Sequence, residues 1–145
     1  MPYNFINEHH AEAAALFCID FRFKDAVIKF LSQELKLKKA DIIVLAGASK
    51  NFADPKDLAN KKTALTQLEI SAKLHGIKKI ILIDHADCGA YGGLKAFNND
   101  AELEKKAHLK NLKKAQSILS KKFKSIEIIL YFANLKNKKI IFEKA

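Results

Sequence analysis

Two short motifs carry the residue types that could do chemistry: Cys18-Ile19-Asp20-Phe21-Arg22 near the start, and His85-Ala86-Asp87-Cys88-Gly89 past the middle. Two thiolates and one imidazole make a complete three-ligand set for catalytic zinc, with the fourth position left open. Each motif is ordinary when taken singly. A lone cysteine in an apolar run such as Ala14–Asp20 is usually a small buried hydrophobe, and a His-x-x-Cys pair alone is a weak signal. Together, each at the end of a strand and beside a charged pair, they point to one Zn2+ ion held by Cys18, His85 and Cys88. The other histidines fit plainer roles. His75 lies at a helix end, His108 on a Lys-rich helix, and His9 and His10 in the leading segment, so all four read as surface or capping residues.

Asp20 and Arg22 form the next layer. In an extended segment, residues i and i+2 point to the same side. Cys18, Asp20 and Arg22 therefore share a face, provided the chain stays extended past the strand end. A guanidinium fork holds a carboxylate bidentately, which an ammonium does less well. Of 26 basic residues, Arg22 is the sole arginine. A chain that builds its surface charge from lysine has used arginine only beside a cysteine, which marks Asp20 and Arg22 as catalytic candidates.

These groups need elements to position them. Five apolar or β-branched runs read as strands: Ala14–Asp20, Asp41–Ala46, Lys79–Asp84, Ser125–Phe132 and Lys138–Glu143. Helical stripes lie between the first four. Val27, Phe30, Leu31 and Leu35 make one, and Leu58, Leu65, Leu68 and Ala72 a second. For the second helix, Asp54 reads as the N-cap, Pro55 as the first helical residue, Asp57 as a first-turn acid and Gly76 as the stop. A third helix runs from about Ala101 to Phe123, capped by Asp100. Strands alternating with helices imply an α/β fold, a mostly parallel β-sheet flanked by helices. Only Ala133–Asn137 separates the last two strands, so they form a C-terminal antiparallel hairpin whose second strand lies on the edge. No repeat, linker or low-complexity tract divides residues 1–145, which read as one domain. In open parallel sheets the crevice opens at the carboxyl ends of strands, where the order reverses. If strands one and three are neighbours, both motifs meet there.

Composition bounds the remaining possibilities. With 145 residues, 49% of them hydrophobic, the chain can bury a core of its own. No run approaches the ~20 apolar residues that span a bilayer. The start carries an acid and two histidines where a secretory signal would carry lysines, so no leader or anchor is read there. Two cysteines without an export signal suit a reducing, cytoplasmic setting, where a cysteine pair serves metal or catalysis more often than a disulfide. The net charge of +10 comes from lysines scattered over helix faces and loops. It attracts polyanions nonspecifically, but no arginine cluster or glycine-rich RNA-binding motif accompanies it, so no specific nucleic-acid partner is expected.

The two motifs together resemble the β-class carbonic anhydrases, whose signature is Cys-x-Asp-x-Arg followed by His-x-x-Cys-Gly; here these are Cys18, Asp20, Arg22, His85, Cys88 and Gly89. The resemblance extends over most of the chain, from the strand leading into Gly47-Ala48-Ser49 to the final hairpin. It implies zinc held by Cys18, His85 and Cys88, and hydration of carbon dioxide to bicarbonate by a zinc-bound hydroxide. Asp20 would accept a hydrogen bond from the zinc-bound water or occupy the fourth zinc position itself, and Arg22 would keep it off the metal. A homodimer or higher homo-oligomer is implied as well. The chain departs from the family in two places. Only 17 residues precede Cys18, short of the helical arm that members wrap around a partner, and the family's Arg-Asn is replaced within Leu45-Ala46-Gly47-Ala48. Three alternatives stand beside this reading: a zinc hydrolase for carbonyl sulfide or carbon disulfide, a non-catalytic zinc-binding protein, and, remotely, a nucleic-acid-binding domain.

Overall fold

A computed structural model describes residues 1–145. The elements follow in the order β1 (Ala13–Phe17), α1 (Phe21–Lys29), β2 (Ala40–Val44), α2 (Lys50–Ala53), α3 (Leu58–His75), β3 (Lys79–His85), α4 (Ala101–Lys122), β4 (Glu127–Lys136) and β5 (Lys139–Lys144). The strands make one five-stranded sheet in the order β2-β1-β3-β4-β5. The first three pairings are parallel and the last is antiparallel. β1 and β3 lie side by side, and the order reverses between them, as the motifs require.

Side-chain size explains the centre of the sheet. All five residues of β1 are buried, and three of them are alanines, which let helices approach both faces closely. β3 reads Ile80-Ile81-Leu82-Ile83, an unbroken apolar run suited to a strand covered on both sides. Ala14, Leu16, Ile80 and Leu82 face one layer, formed by Phe52 of α2, Leu68 of α3 and Leu112, Ala115 and Leu119 of α4. Ala13, Ala15, Phe17, Ile81 and Ile83 face the other, formed by Phe23 and Val27 of α1 with Phe30 and Leu31. After Lys29 the helix widens into a π-helical turn, Phe30–Glu34, closed by the Leu35 amide donating to the Phe30 carbonyl at 3.0 Å. No helix is long and apolar enough to cross a membrane.

Four details differ from the sequence reading. β1 stops at Phe17, and Asp20 caps α1 by accepting the Arg22 amide at 3.0 Å. The extended alternation proposed for Cys18, Asp20 and Arg22 is therefore replaced by a helix start. The cap of α3 is Asp57, which accepts the Asn60 amide at 2.8 Å, and Asp54 instead ends α2, its carboxylate paired with Lys50 at 2.7 Å. Asp57 wins because Pro55 sits in the turn between the two helices, leaving Leu58 as the first helical residue. The hairpin is tighter than expected: β4 continues to Lys136, and Asn137-Lys138, both at positive φ (50° and 59°), make a two-residue turn. The fourth difference is His108, which is fully buried. Gly76 ends α3 in the left-handed conformation at φ 63°, and Asp100 caps α4, both as read.

Candidate metal centre

The carboxyl ends of β1 and β3 converge because the two strands pair in register from Ala13–Lys79 to Phe17–Ile83. Cys18 is the first residue past β1, and His85 is the last of β3. Cys88 is brought back toward them by a reversal at Asp87, whose φ is 55°. A 3-10 turn, Gly89–Tyr91, then fixes it, with the Tyr91 and Gly93 amides donating to the Cys88 carbonyl at 3.0 and 2.9 Å. The Cys18 and Cys88 sulfurs and a ring nitrogen of His85 all lie within 4.8 Å of one another, and all three residues are buried. The sulfurs are 3.9 Å apart.

The tautomer of His85 follows from its neighbour. Nδ1 lies 2.8 Å from the Ala86 carbonyl, which can only accept, so Nδ1 carries a proton and the neutral ring has its lone pair on Nε2. Nε2 is buried and has no hydrogen-bond partner in the chain. The Phe23 ring, 4.2 Å from the imidazole between centroids, holds its plane. The Gly47 amide donates to Cys18 Sγ at 3.4 Å. The hydrogen bond with Cys88 holds the Cys18 thiol below its ordinary range, and the same contact together with burial pushes Cys88 above its own. Two sulfurs 3.9 Å apart, facing an imidazole nitrogen without a partner in the chain, make a donor set able to hold a metal ion.

Asp20 and Arg22 stand beside this set. Arg22 Nε contacts both Asp20 oxygens at 3.0 and 3.1 Å, and Nη2 reaches Asp20 Oδ2 at 2.6 Å. These bonds hold the Asp20 carboxyl down to about 2, so it is an anion at any ordinary pH. Its Oδ2 lies 4.0 Å from His85 Nε2. The other edge of the guanidinium is engaged by Asp87, whose Oδ2 accepts Nη1 at 2.9 Å and whose carbonyl accepts Nη2 at 3.0 Å. Asp87 is itself anchored. Its Oδ1 accepts the Leu94 amide at 3.0 Å, and its own amide donates at 2.8 Å to the buried carboxylate of Glu104. The Leu94 amide, and then Arg22, lower its carboxyl below the ordinary range.

All five residues singled out in the sequence thus meet at one place. The sequence reading did not single out Asp87, Glu104 or the buried His108. Glu104 and His108 did leave a signal. They sit at positions 104 and 108 of a helix whose apolar stripe continues at 112, 115 and 119, so a polar pair occupies a core-facing row. His75 is half-buried at the end of α3, with Nδ1 donating to the Asp41 carboxylate of β2 at 2.7 Å.

Comparison with known proteins agrees with this geometry. A family model described as "Putative carbonic anhydrase" matches residues 8–141. A protein of Rickettsia bellii is 33% identical over 129 residues, covering 88% of this chain and 79% of its own length. A protein of Rickettsia conorii is 33% identical over 136 residues, covering 89% and 73% respectively. Both are themselves uncharacterised. Among solved structures, a β-carbonic anhydrase of Trichomonas vaginalis superimposes with a TM-score of 0.58 at 17% identity, over 98% of this chain and 87% of that one. The β-carbonic anhydrase CcaA gives 0.53 at 14% identity, over 95% and 78%. The chain therefore belongs to the carbonic anhydrase family that this model describes, and its fold is that of the β-carbonic anhydrases.

Proposed function

We propose that Cys18, His85 and Cys88 hold one zinc ion and that the protein catalyses the reversible hydration of carbon dioxide to bicarbonate. The observation that carries this reading is the spacing of the donors. Two sulfurs bound to zinc at ~2.3 Å and a tetrahedral angle stand about 3.8 Å apart, and these two are 3.9 Å apart. The third donor is an imidazole nitrogen whose lone pair has no other use. Zinc in that position supplies Lewis acidity, which lets a water molecule lose its proton near neutral pH.

The chain's own groups do the rest. The Ala86 carbonyl fixes the His85 tautomer and ring direction, as outer partners of metal ligands do. Asp20, always ionised, can only accept a hydrogen bond. It lies 4.0 Å from His85 Nε2 and would take the remaining hydrogen of the attacking oxygen, turning a lone pair toward the substrate carbon. Attack forms one carbon–oxygen bond, one C=O π pair moves onto its oxygen, and bicarbonate results; the proton lost by water passes to solvent. Arg22, three of whose N–H···O contacts hold that carboxylate, would keep it off a bound metal.

Two further readings attach to the same proposal. The sheet edge at β2 exposes Ile42 and Val44 on the α1 side, and Ile19, Phe21 and Ile28 are exposed alongside. This apolar surface adjoins the motif that carries Asp20, and a homodimer formed through it would cover both. Thiolate ligands need a reducing compartment, so the cytoplasm is the setting that suits this centre.

The test is a stopped-flow carbon dioxide hydration assay from pH 7 to 9 on protein with its metal content measured. One zinc per chain, lost in Cys88→Ser and Cys18→Ser, with hydration well above the buffer rate, is the expected result. Zinc at full stoichiometry in both variants would remove the ligand assignment. Loaded protein with no hydration activity would remove carbon dioxide as the substrate and leave the metal centre standing.

A further inference from the structure

Asp84 precedes His85 in β3, so strand alternation sends its side chain to the opposite face of the sheet, toward α2 and α4. There it is 1% exposed, yet four hydrogen bonds converge on it. Its Oδ1 accepts the Ser49 amide at 3.0 Å. Its Oδ2 accepts the Ser49 hydroxyl at 2.7 Å, His108 Nδ1 at 2.9 Å and the Tyr91 hydroxyl at 3.1 Å. Asn111 Nδ2 donates to the Tyr91 oxygen at 2.9 Å, which turns the phenolic hydrogen toward Asp84. His108 carries its proton on Nδ1, since a carboxylate only accepts. Its Nε2 is buried without a partner.

The three segments tied to Asp84 are not arbitrary. Ser49 lies two residues after Gly47, whose amide donates to Cys18 Sγ at 3.4 Å. Tyr91 closes the 3-10 turn that begins at Cys88, its amide on the Cys88 carbonyl at 3.0 Å. His108 anchors the cluster to α4. One buried carboxylate thus holds the two loops that place the two sulfurs, and it does so from behind the sheet. The first loop has no regular structure of its own, Gly47 and Ala48 both lying at positive φ (78° and 39°), and the second is a single 3-10 turn, Gly89–Tyr91. The Gly47 turn is also tight, since a Cβ at Gly47 would stand 2.9 Å from the Ala90 Cβ.

We propose that Asp84 is a positioning residue for both thiolate ligands, acting through Ser49 on the Gly47–Cys18 contact and through Tyr91 on the turn that carries Cys88. The proposal deepens the metal-centre reading and rests on it. An amide at position 84 would offer one acceptor oxygen and a donor where four donors converge, so the arrangement calls for a side chain with two acceptor oxygens. An N–H···S bond also draws charge from sulfur, so the Gly47 contact sets how strongly Cys18 donates to a metal.

The test separates positioning from mere stabilisation. Tyr91→Phe removes the Tyr91 strut and Ser49→Ala removes the hydroxyl half of the Ser49 strut while its amide stays on Oδ1, both with little change of shape, and they remain informative should Asp84→Asn fail to fold. Zinc affinity is measured by competition with a chromogenic chelator, and the centre is read from the thiolate-to-metal charge-transfer absorption of the Co2+-loaded protein. Gly76→Ala is the control. It forces a side chain into the φ of 63° at the end of α3 and lowers Tm far from the site. Both strut variants should keep one zinc per chain but bind it about 10- to 100-fold more weakly, the usual range for outer partners of metal ligands, with shifted Co2+ bands. The control should lose Tm and keep both. Wild-type affinity and an unshifted spectrum in both strut variants would overturn the positioning role. Wild-type protein that takes up no metal would instead overturn the centre itself.

Discussion

The Arg22 guanidinium joins the two motifs directly: Nη1 donates to Asp87 Oδ2 at 2.9 Å and Nη2 to the Asp87 carbonyl at 3.0 Å, across 65 positions of sequence. Asp20 occupies one edge of the planar fork and Asp87 the other. The carboxylate beside the donor set is thus oriented by an arginine that is itself fixed by the segment carrying His85 and Cys88. Arg22 is held well above its ordinary range, first by the hydrogen bonds to Asp20 and then by those to Asp87, and remains charged throughout.

Arg22→Lys tests whether geometry or charge matters here. An ammonium keeps the charge and cannot serve two carboxylates and a carbonyl from one plane. The variant should keep its zinc and lose tenfold or more in turnover, about 1.4 kcal/mol or more of transition-state orientation. Wild-type hydration rates across pH 7 to 9 would show that the Asp20–Arg22 pair is only a helix cap.

Asp87→Asn asks how much the second edge contributes. Asparagine tolerates the φ of 55°, and its amide oxygen can still accept the Leu94 amide. What disappears is the charge facing Arg22. With Asp20 still in place, the loss should be smaller than in Arg22→Lys, roughly two- to fivefold in turnover, or up to ~1 kcal/mol, the scale of an exposed ion pair. Zinc affinity should not change. A loss equal to that of Arg22→Lys would mean that Asp87, rather than Asp20, is the main anchor of the guanidinium.

Much of this was legible in the sequence, for identifiable reasons. The strands were plain because β1 and β3 are buried on both faces and read as unbroken apolar runs, and Gly76 and Asp100 punctuate helices where backbone conformation demands them. Cys18, His85 and Cys88 could be grouped because strand ends in parallel sheets converge. Alternation along a strand suggests an extended face for Asp20 and Arg22, whereas Asp20 reaches Arg22 by capping the helix that follows. The roles of Asp87, Glu104 and Asp84 depend on partners 7 to 65 positions away. No local spacing encodes such contacts. His108 was assigned to the surface because lysines surround it in sequence, but helical periodicity puts those lysines on the opposite face.

Glu143 offers a pH test remote from the metal. On β5 it pairs with Lys105 of α4 and with Lys136 of β4, the latter at 2.6 Å, so it ties the hairpin to the helix layer. The hydrogen bond from Lys105, then that from Lys136, lower its carboxyl from the ordinary 4.5 to about 2. A depressed folded-state value means that the pair stabilises fully above the unfolded value and loses its effect as pH falls through the folded one. Glu143→Gln should therefore melt lower than wild type at pH 6 to 7, by roughly 3 °C for a contribution near 1 kcal/mol. The gap should close between about pH 4.5 and 2. A gap that stays constant down to pH 2 would show that packing, and not charge, explains the difference.

The exposed face of β2 supplies the last test. Ile42 and Val44 are each 45% exposed, and β2 is an unpaired edge of the sheet. An apolar edge strand is a liability unless a partner covers it. Twofold pairing would place the same patch of each copy against the other. Val44→Asp sets a charge on that face without touching the buried core. In an isolated chain a charged, exposed edge residue is well tolerated, so folding should survive. In a dimer, the symmetry sets two such charges close together on an apolar surface, and they repel. Light scattering at micromolar protein should report a dimer for wild type and a monomer for Val44→Asp, with Tm read on each at matched concentration. An unchanged dimer in the variant would move the interface elsewhere, and a monomeric, fully active wild type would show that the centre needs no second copy.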